Sequence, residues 1–365
     1  MASTTPYYEL LEACRTGDSM LLKQLLQRGC RPNLHPQNSK VHSFESPLFC
    51  AVEANSLECV RLLLEAGVDV NVADCHNYTP LMLIKTAEIA EVLINAGADI
   101  HATGSFGDDV LSEIFSNTCH HDFDDSERIS VEDLCKIVCL MRDAGINLNT
   151  QSERNGWTYL YNAAFSIQPE AVEALLRFGA DPKIGISPVN GACWQSNCYG
   201  YDHKIARVID LLIEAGTEVD LRDAGGATLL HCAAQEYNHS ADYNHSSDGC
   251  NYTAIVTLLK HGADPDPVDA DGNTPLMNAA FAGHPESVQA LIEAGANPSH
   301  RNHKGETAID WVAEPYQYLQ STCNRLKNIS DSSSNRELVF YSEQLQNLNK
   351  IMLLLKAGLD CSHPN

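Results

Sequence analysis

Leucine and isoleucine recur along this 365-residue chain in short runs that end, after two spacer residues, in a glycine. A small or apolar residue follows, and then usually an acid or amide. The phrase reads LLQRGC at 25–30, LLEAGVD at 63–69, LINAGAD at 93–99, MRDAGIN at 141–147, LLRFGAD at 175–181, LIEAGTE at 212–218, LLKHGAD at 258–264, LIEAGAN at 291–297 and LLKAGLD at 354–360. A second apolar segment stands ahead of it, as in TPLMNAAF at 274–281. Thr274-Pro275 suits a helix start, because proline's missing N–H costs nothing in the first turn. Ala279 and Ala280 let a neighbouring helix come close, and Gly283 breaks the helix. Val288, Leu291 and Ile292 then give a second helix its apolar stripe, which Gly295 closes with a left-handed cap. So small a unit cannot bury its apolar face alone, and the pattern predicts stacked units in a solenoid.

From Gly262 to Gly295 is 33 residues, and SPLFCAVE (46–53), TLLHCAAQ (228–235) and TPLMNAAF (274–281) resemble the TPLHxAA helix of the ankyrin-repeat family. The glycine phrase resembles that family's LLxxGADVN. The two signatures recur in register over residues ~8 to 360, nearly the whole chain. The resemblance implies an all-α repeat solenoid of helix-turn-helix units with β-hairpin-like fingers. Nine repeats would close near Gly29, Gly67, Gly97, Gly145, Gly179, Gly216, Gly262, Gly295 and Gly358, within one domain over 1–365.

From the opening Ser or Thr to the closing glycine, repeats two, five and eight each run 21 residues, whereas repeat three (Thr79 to Gly97) runs 18. Repeats four, six, seven and nine exceed 21 by 15, 8, 13 and 30. The excess falls between the two helices of each unit, so the added loops emerge on one edge of the stack. EYNHSADYNHSSDGCNY (236–252) is rich in Tyr, Asn, Ser and His, the chemistry of an adaptable recognition loop and equally of a tolerated insertion. The last insertion, 315–347, holds two amphipathic stretches around a Ser-rich joint and is expected to add helix that caps the terminal repeat.

The formal net charge is −24, from 48 acids against 24 Lys plus Arg. Sequence-independent nucleic-acid binding needs the opposite sign, so the expected partner is another protein, basic in character, and not nucleic acid. The same charge also serves to keep a long surface soluble. No run of apolar residues is long enough to span a membrane and the N-terminus lacks a signal-peptide pattern, so a soluble, cytoplasmic chain, monomeric when free, is expected. The fourteen cysteines include Cys14, Cys50 and Cys232 at small, buried repeat positions, as expected of core thiols in a reducing compartment. The Cys135–Cys139 and Cys193–Cys198 spacings do not match zinc knuckles. Asp122, Asp124, Ser126 and Asp133 only shadow a calcium loop, since Glu127 stands where its turn glycine belongs. No metal and no cofactor is expected. No phosphate loop or nucleophile elbow appears, so no catalytic residue is assigned.

Family members commonly grip partners with finger tips and the exposed face of the first helices, and the resemblance carries that role to the position seven residues after each opener. It is Glu53, Phe165, Trp194, Gln235, Phe281 and Glu314 in repeats two and five to nine. Trp157 and Tyr161 lie close by in repeat five, and Tyr237 and Tyr243 in the recognition loop. The candidate partner-binding set is therefore Trp157, Tyr161, Phe165, Trp194, Gln235, Tyr237, Tyr243 and Phe281. Leu63, Asp69, Val70 and Asn71 also resemble the finger pattern that asparaginyl hydroxylases modify, which marks Asn71 as a candidate modification site. Two uses fit an acidic binder: an inhibitor or neutralising partner, of which a toxin immunity protein is one form, and an adaptor or effector that recruits a cellular protein.

Overall fold

The computed structural model describes residues 6–33, 46–105, 107–117, 129–152, 154–194, 202–235, 252–327 and 332–361. The chain divides into two compact units, Met1–Ile186 and Ser187–Asn365. The first holds α1 (Pro6–Arg15), α2 (Ser19–Gln27), α3 (Pro47–Glu53), α4 (Leu57–Glu65), α5 (Ala87–Asn95), α6 (Val110–Asn117), α7 (Val131–Asp143), α8 (Tyr159–Phe165) and α9 (Pro169–Arg177). The second holds α10 (Pro188–Trp194), α11 (Asp202–Glu214), α12 (Leu229–Ala234), α13 (Tyr252–Lys260), α14 (Pro275–Phe281), α15 (Pro285–Glu293), α16 (Ala308–Leu326) and α17 (Ser332–Cys361).

Within each unit the helices form two layers. First helices stack on first helices, α10 on α12, α12 on α14 and α14 on α16, while α11, α13, α15 and α17 form the second row. The buried residues are those the apolar pattern selects, such as Leu276, Ala279, Ala280, Val288 and Leu291 in repeat eight. Among the described residues there is no sheet, only isolated bridges at Thr103 with Asp109, Gln151 with Thr158 and Arg222 with Thr228. The all-α repeat solenoid expected from the phrase is the observed fold.

The caps follow residue chemistry. The closing glycines from Gly29 to Gly295 have φ between 77° and 113°, the left-handed region where a side chain is strained. At repeat two Gly67 N–H donates to Leu64 O (3.0 Å) and Val68 N–H to Leu63 O (3.2 Å), the bonds of a Schellman cap. The openers work at the other end: the Thr158 hydroxyl accepts from Tyr161 N–H (3.1 Å), and Asp310 Oδ2 accepts from both N–H and Oγ–H of Thr307 (2.8 Å each). Buried His231 joins two repeats, its Nδ1 accepting from Thr228 N–H (3.1 Å) and its Nε2 lying 3.1 Å from Asn273 O. Burial holds its pKa below the ordinary histidine value.

Three features depart from the regular unit. Repeat three, three residues short, has only a 3₁₀ turn over Pro80–Leu83 where the others have a first helix. In repeats four and six part of the added length lengthens the second helix itself, since α7 and α11 have 13 residues against 9 in α4, α9 and α15. The ninth glycine phrase does not end a helix, because α17 runs through Gly358 to Cys361. Gly358 serves packing instead: a Cβ there would stand 3.2 Å from Pro298 Cγ of the preceding repeat.

Candidate functional site

Four fingers are organised by an Asp or Asn five residues before the opener. Asp74 Oδ1 accepts from the N–H groups of His76 and Tyr78, Asp223 from Gly225 and Ala227, Asp269 from Asp271 and Asn273, and Asn302 Oδ1 from Lys304 and Glu306. A carboxylate or amide oxygen thus replaces the main-chain acceptor that a tight turn lacks.

A second set, four residues after the closing glycine, ties several of the fingers to the next. Asn71 Nδ2 donates to Gly97 O (3.1 Å) while its Oδ1 accepts from Asp99 N–H (2.7 Å). Asn149 repeats the pair with Gly179 O (3.3 Å) and Asp181 N–H (2.8 Å). In the second unit aspartate takes the place, Asp220 accepting from Asp264 N–H (3.1 Å) and Asp266 from Asn297 N–H (2.8 Å). An ionised carboxylate has no proton to donate, so these rungs keep the accepting half. The candidate modification site Asn71 is exposed, yet both ends of its amide are engaged in this ladder.

The position seven residues after the opener faces outward where its side chain is described. Glu53 and Gln235 are exposed, Phe165 is half-buried and Phe281 is 63% exposed. Trp194 ends α10, but its side chain lies outside the described residues. So do the Glu314 side chain, Tyr237 and Tyr243 with the loop at 236–251, and the calcium-like positions Asp122, Asp124, Ser126 and Glu127.

In repeat five the structure brings Trp157, Tyr161 and Phe165 together. Trp157 lies 4.6 Å from Tyr161 and 5.2 Å from Phe165 between ring centroids, and Tyr161 stacks on Phe165 at 6.2 Å. Tyr161 has no exposed surface, so only Trp157 and Phe165 reach the outside. Phe281 is arranged differently. It meets Trp311 of repeat nine edge-on, at 5.8 Å and 79°. Trp311 is half-buried, and its Nε1 donates to Glu306 Oε2 (3.1 Å), which also accepts from Asn302 Nδ2 (3.0 Å). Those two donors hold the Glu306 carboxyl below the usual carboxylate range, and the Thr307 backbone and hydroxyl do the same for Asp310. Tyr318, seven residues after Trp311 and so on the same helix face, is 64% exposed.

Sequence reasoning missed Trp311 and Tyr318. The search followed one register position, and Trp311 sits at a different one, four residues after its opener, where Asn162, Cys232 and Asn278 stand in other repeats. The available signal was its rarity, as one of three tryptophans.

Cys14 and Cys50 are buried as expected, whereas Cys232 is half-buried; desolvation pushes the thiols of Cys14 and Cys193 far up and that of Cys232 up to about 11. No three His, Cys, Asp or Glu side chains among the described residues converge as a metal site requires. No described helix is long and apolar enough to cross a membrane.

The family model described as ankyrin repeats (3 copies) matches residues 10–104, 199–302 and 243–319. The chain is 24% identical over 304 residues to the human transient receptor potential cation channel subfamily A member 1, covering 74% of this chain and 26% of that protein. It is 28% identical over 293 residues to the putative palmitoyltransferase ZDHHC13 of Danio rerio, covering 79% of this chain and 35% of that one. The chain therefore spans about a quarter to a third of the length of these curated relatives. The crystal structure of the human ASB11 ankyrin repeat domain superposes with a TM-score of 0.51 at 23% identity, covering 70% of this chain and 98% of that one, a likeness of fold. Matched over more than half its length, with its helix pairs and glycine caps in that order, the chain belongs to the ankyrin-repeat family.

Proposed function

We propose that this chain is a non-enzymatic binding protein for a basic protein, held on the outward face of the first helices and the adjoining fingers. Ankyrin repeats are generic protein–protein interaction modules. The observation that carries the finer reading is Phe281, a large apolar side chain standing in solvent at a position whose counterparts Glu53 and Gln235 are also exposed. Exposed aromatics are common anchors of interfaces. The net charge of −24 selects a basic partner and raises its encounter rate.

The mode of action follows the first of the two uses above, an inhibitor that covers its partner's basic face. Capture on the immobilised intact chain, identification by mass spectrometry and titration of the partner's own activity test this. One equivalent should suppress that activity, whereas a partner that stays fully active in the complex makes the chain an adaptor. Association should slow as salt rises from ~0.05 to ~0.5 M, with dissociation changing less. Association rates flat across that range would overturn the basic-partner reading.

A further inference from the structure

We infer that the right-angled corner formed by Phe281 and Trp311 receives the guanidinium group of an arginine on an extended segment of the partner. The inference rests on the binding function proposed above and deepens it.

The two rings stand at 79° with centroids 5.8 Å apart, so they form two walls and do not close on each other as the rings of repeat five do. One wall is fixed: the bond from Trp311 Nε1 to Glu306 sets the indole plane, and Asn302 in turn holds Glu306. The corner opens to solvent through Phe281, and Tyr318, two turns further along α16, is exposed as well. An aromatic face attracts a cation within about 6 Å of its centroid, and most favourably a planar, weakly hydrated guanidinium.

Charge chooses the occupant. The fingers over 216–228, 262–274 and 295–307 lead into α12, α14 and α16, and hold eight carboxylates against three cationic side chains, Arg222, Arg301 and Lys304. Two of the three are engaged by carbonyls: Arg222 Nη1 donates to Gly226 O (2.8 Å) and Val268 O (2.6 Å), and Arg301 Nη1 to Gly305 O (2.5 Å). Glu306, bonded to the Trp311 indole, and Asp310, next to Trp311 in sequence and bonded to Thr307, are both held in the ionised form by their donors. A purely apolar anchor would leave this surplus uncompensated, and an acidic segment would be repelled. An arginine satisfies both, with its plane on a ring and its N–H groups towards carboxylate oxygens.

The test uses the intact chain and a short peptide of alternating glycine and arginine, with lysine and citrulline counterparts, titrated by calorimetry at low salt. Citrulline keeps the shape and loses the charge. The arginine peptide should bind at least about tenfold more tightly than the citrulline peptide and measurably more tightly than the lysine one. Phe281→Ala should weaken it about fivefold, and Trp311→Leu at least as much, with circular dichroism and melting unchanged for Phe281→Ala. Met20→Ala in α2, a large exposed apolar side chain outside the partner-binding set, should change nothing. Equal binding of arginine and citrulline peptides, or full affinity in Phe281→Ala, overturns the corner as a guanidinium site. Equal binding of lysine and arginine reduces it to general electrostatic attraction and overturns it likewise. If a captured partner binds normally while the arginine peptide does not bind at all, this inference fails and the binding function stands.

Discussion

Repeat five and repeats eight and nine each bring aromatic rings to a first helix, and they use them in opposite ways. In repeat five Tyr161 stacks on Phe165 with Trp157 tilted against both, and Tyr161 disappears into the core. In repeats eight and nine Phe281 and Trp311 meet edge to face and leave Phe281 in solvent. Register separates the buried ring from the outer ones: Tyr161 is three residues after its opener, on the buried face, while Phe165 and Phe281 are both seven after, at the outward end. Phe165 is then half-covered by its own cluster, and Phe281 is not. An aromatic residue in a repeat protein therefore tells little about binding until its place within the unit is known.

The comparison breaks most readily at Tyr161. If that ring is core, Tyr161→Ala should cost about 3–5 kcal/mol of stability, measured by chemical denaturation, whereas Phe281→Ala should cost less than about 1 kcal/mol. Equal costs would erase the distinction. The converse concerns affinity. Phe281→Ala should weaken the complex with the captured partner by about 2 kcal/mol in titration calorimetry, and Phe165→Ala by clearly less, since its ring is partly covered by its own cluster.

The finger ladder offers a smaller contrast between the same regions. Asn149 makes both rung bonds and Asp266 only the accepting one, so Asn149→Ala should lower stability by about 1 kcal/mol and Asp266→Asn should raise it by a few tenths, by restoring a donor. Thermal melts of the two variants read this directly. Smallest is a pH effect in the second unit. Because burial depresses the His231 pKa, the unfolded chain binds a proton there before the folded chain does. The stability this residue contributes is full above the ordinary histidine value near 6.5 and is lost as pH falls below it. The slope of melting temperature against pH below that value should be shallower for His231→Gln than for the wild type. Parallel slopes would mean that His231 takes up a proton as readily in the folded chain as in the unfolded one.

Several of these features were legible without coordinates. The glycine phrase locates eight caps because only glycine sits comfortably at positive φ, and the Thr openers locate first helices because their hydroxyls can cap them. The 18-residue spacing of repeat three already signals a missing turn, and the structure answers with a 3₁₀ turn over Pro80–Leu83. Phe281 was legible as a surface residue from its register together with the family resemblance, which says which position faces outward.

Other features depend on what one repeat meets in the next. Gly358 carries the same phrase as the other eight glycines, yet α17 continues through it, and its small size admits Pro298. Asn71 reads as a free finger residue until Gly97 and Asp99 are seen to hold both ends of its amide. Trp311 becomes part of a site only because stacking sets it beside Phe281, thirty residues earlier in the chain. Local chemistry, caps and periodicity are written in the order of residues, since they act over one turn of helix. Which rings face each other and which amides are engaged are contacts between repeats, and only the stacking of one unit on the next decides them.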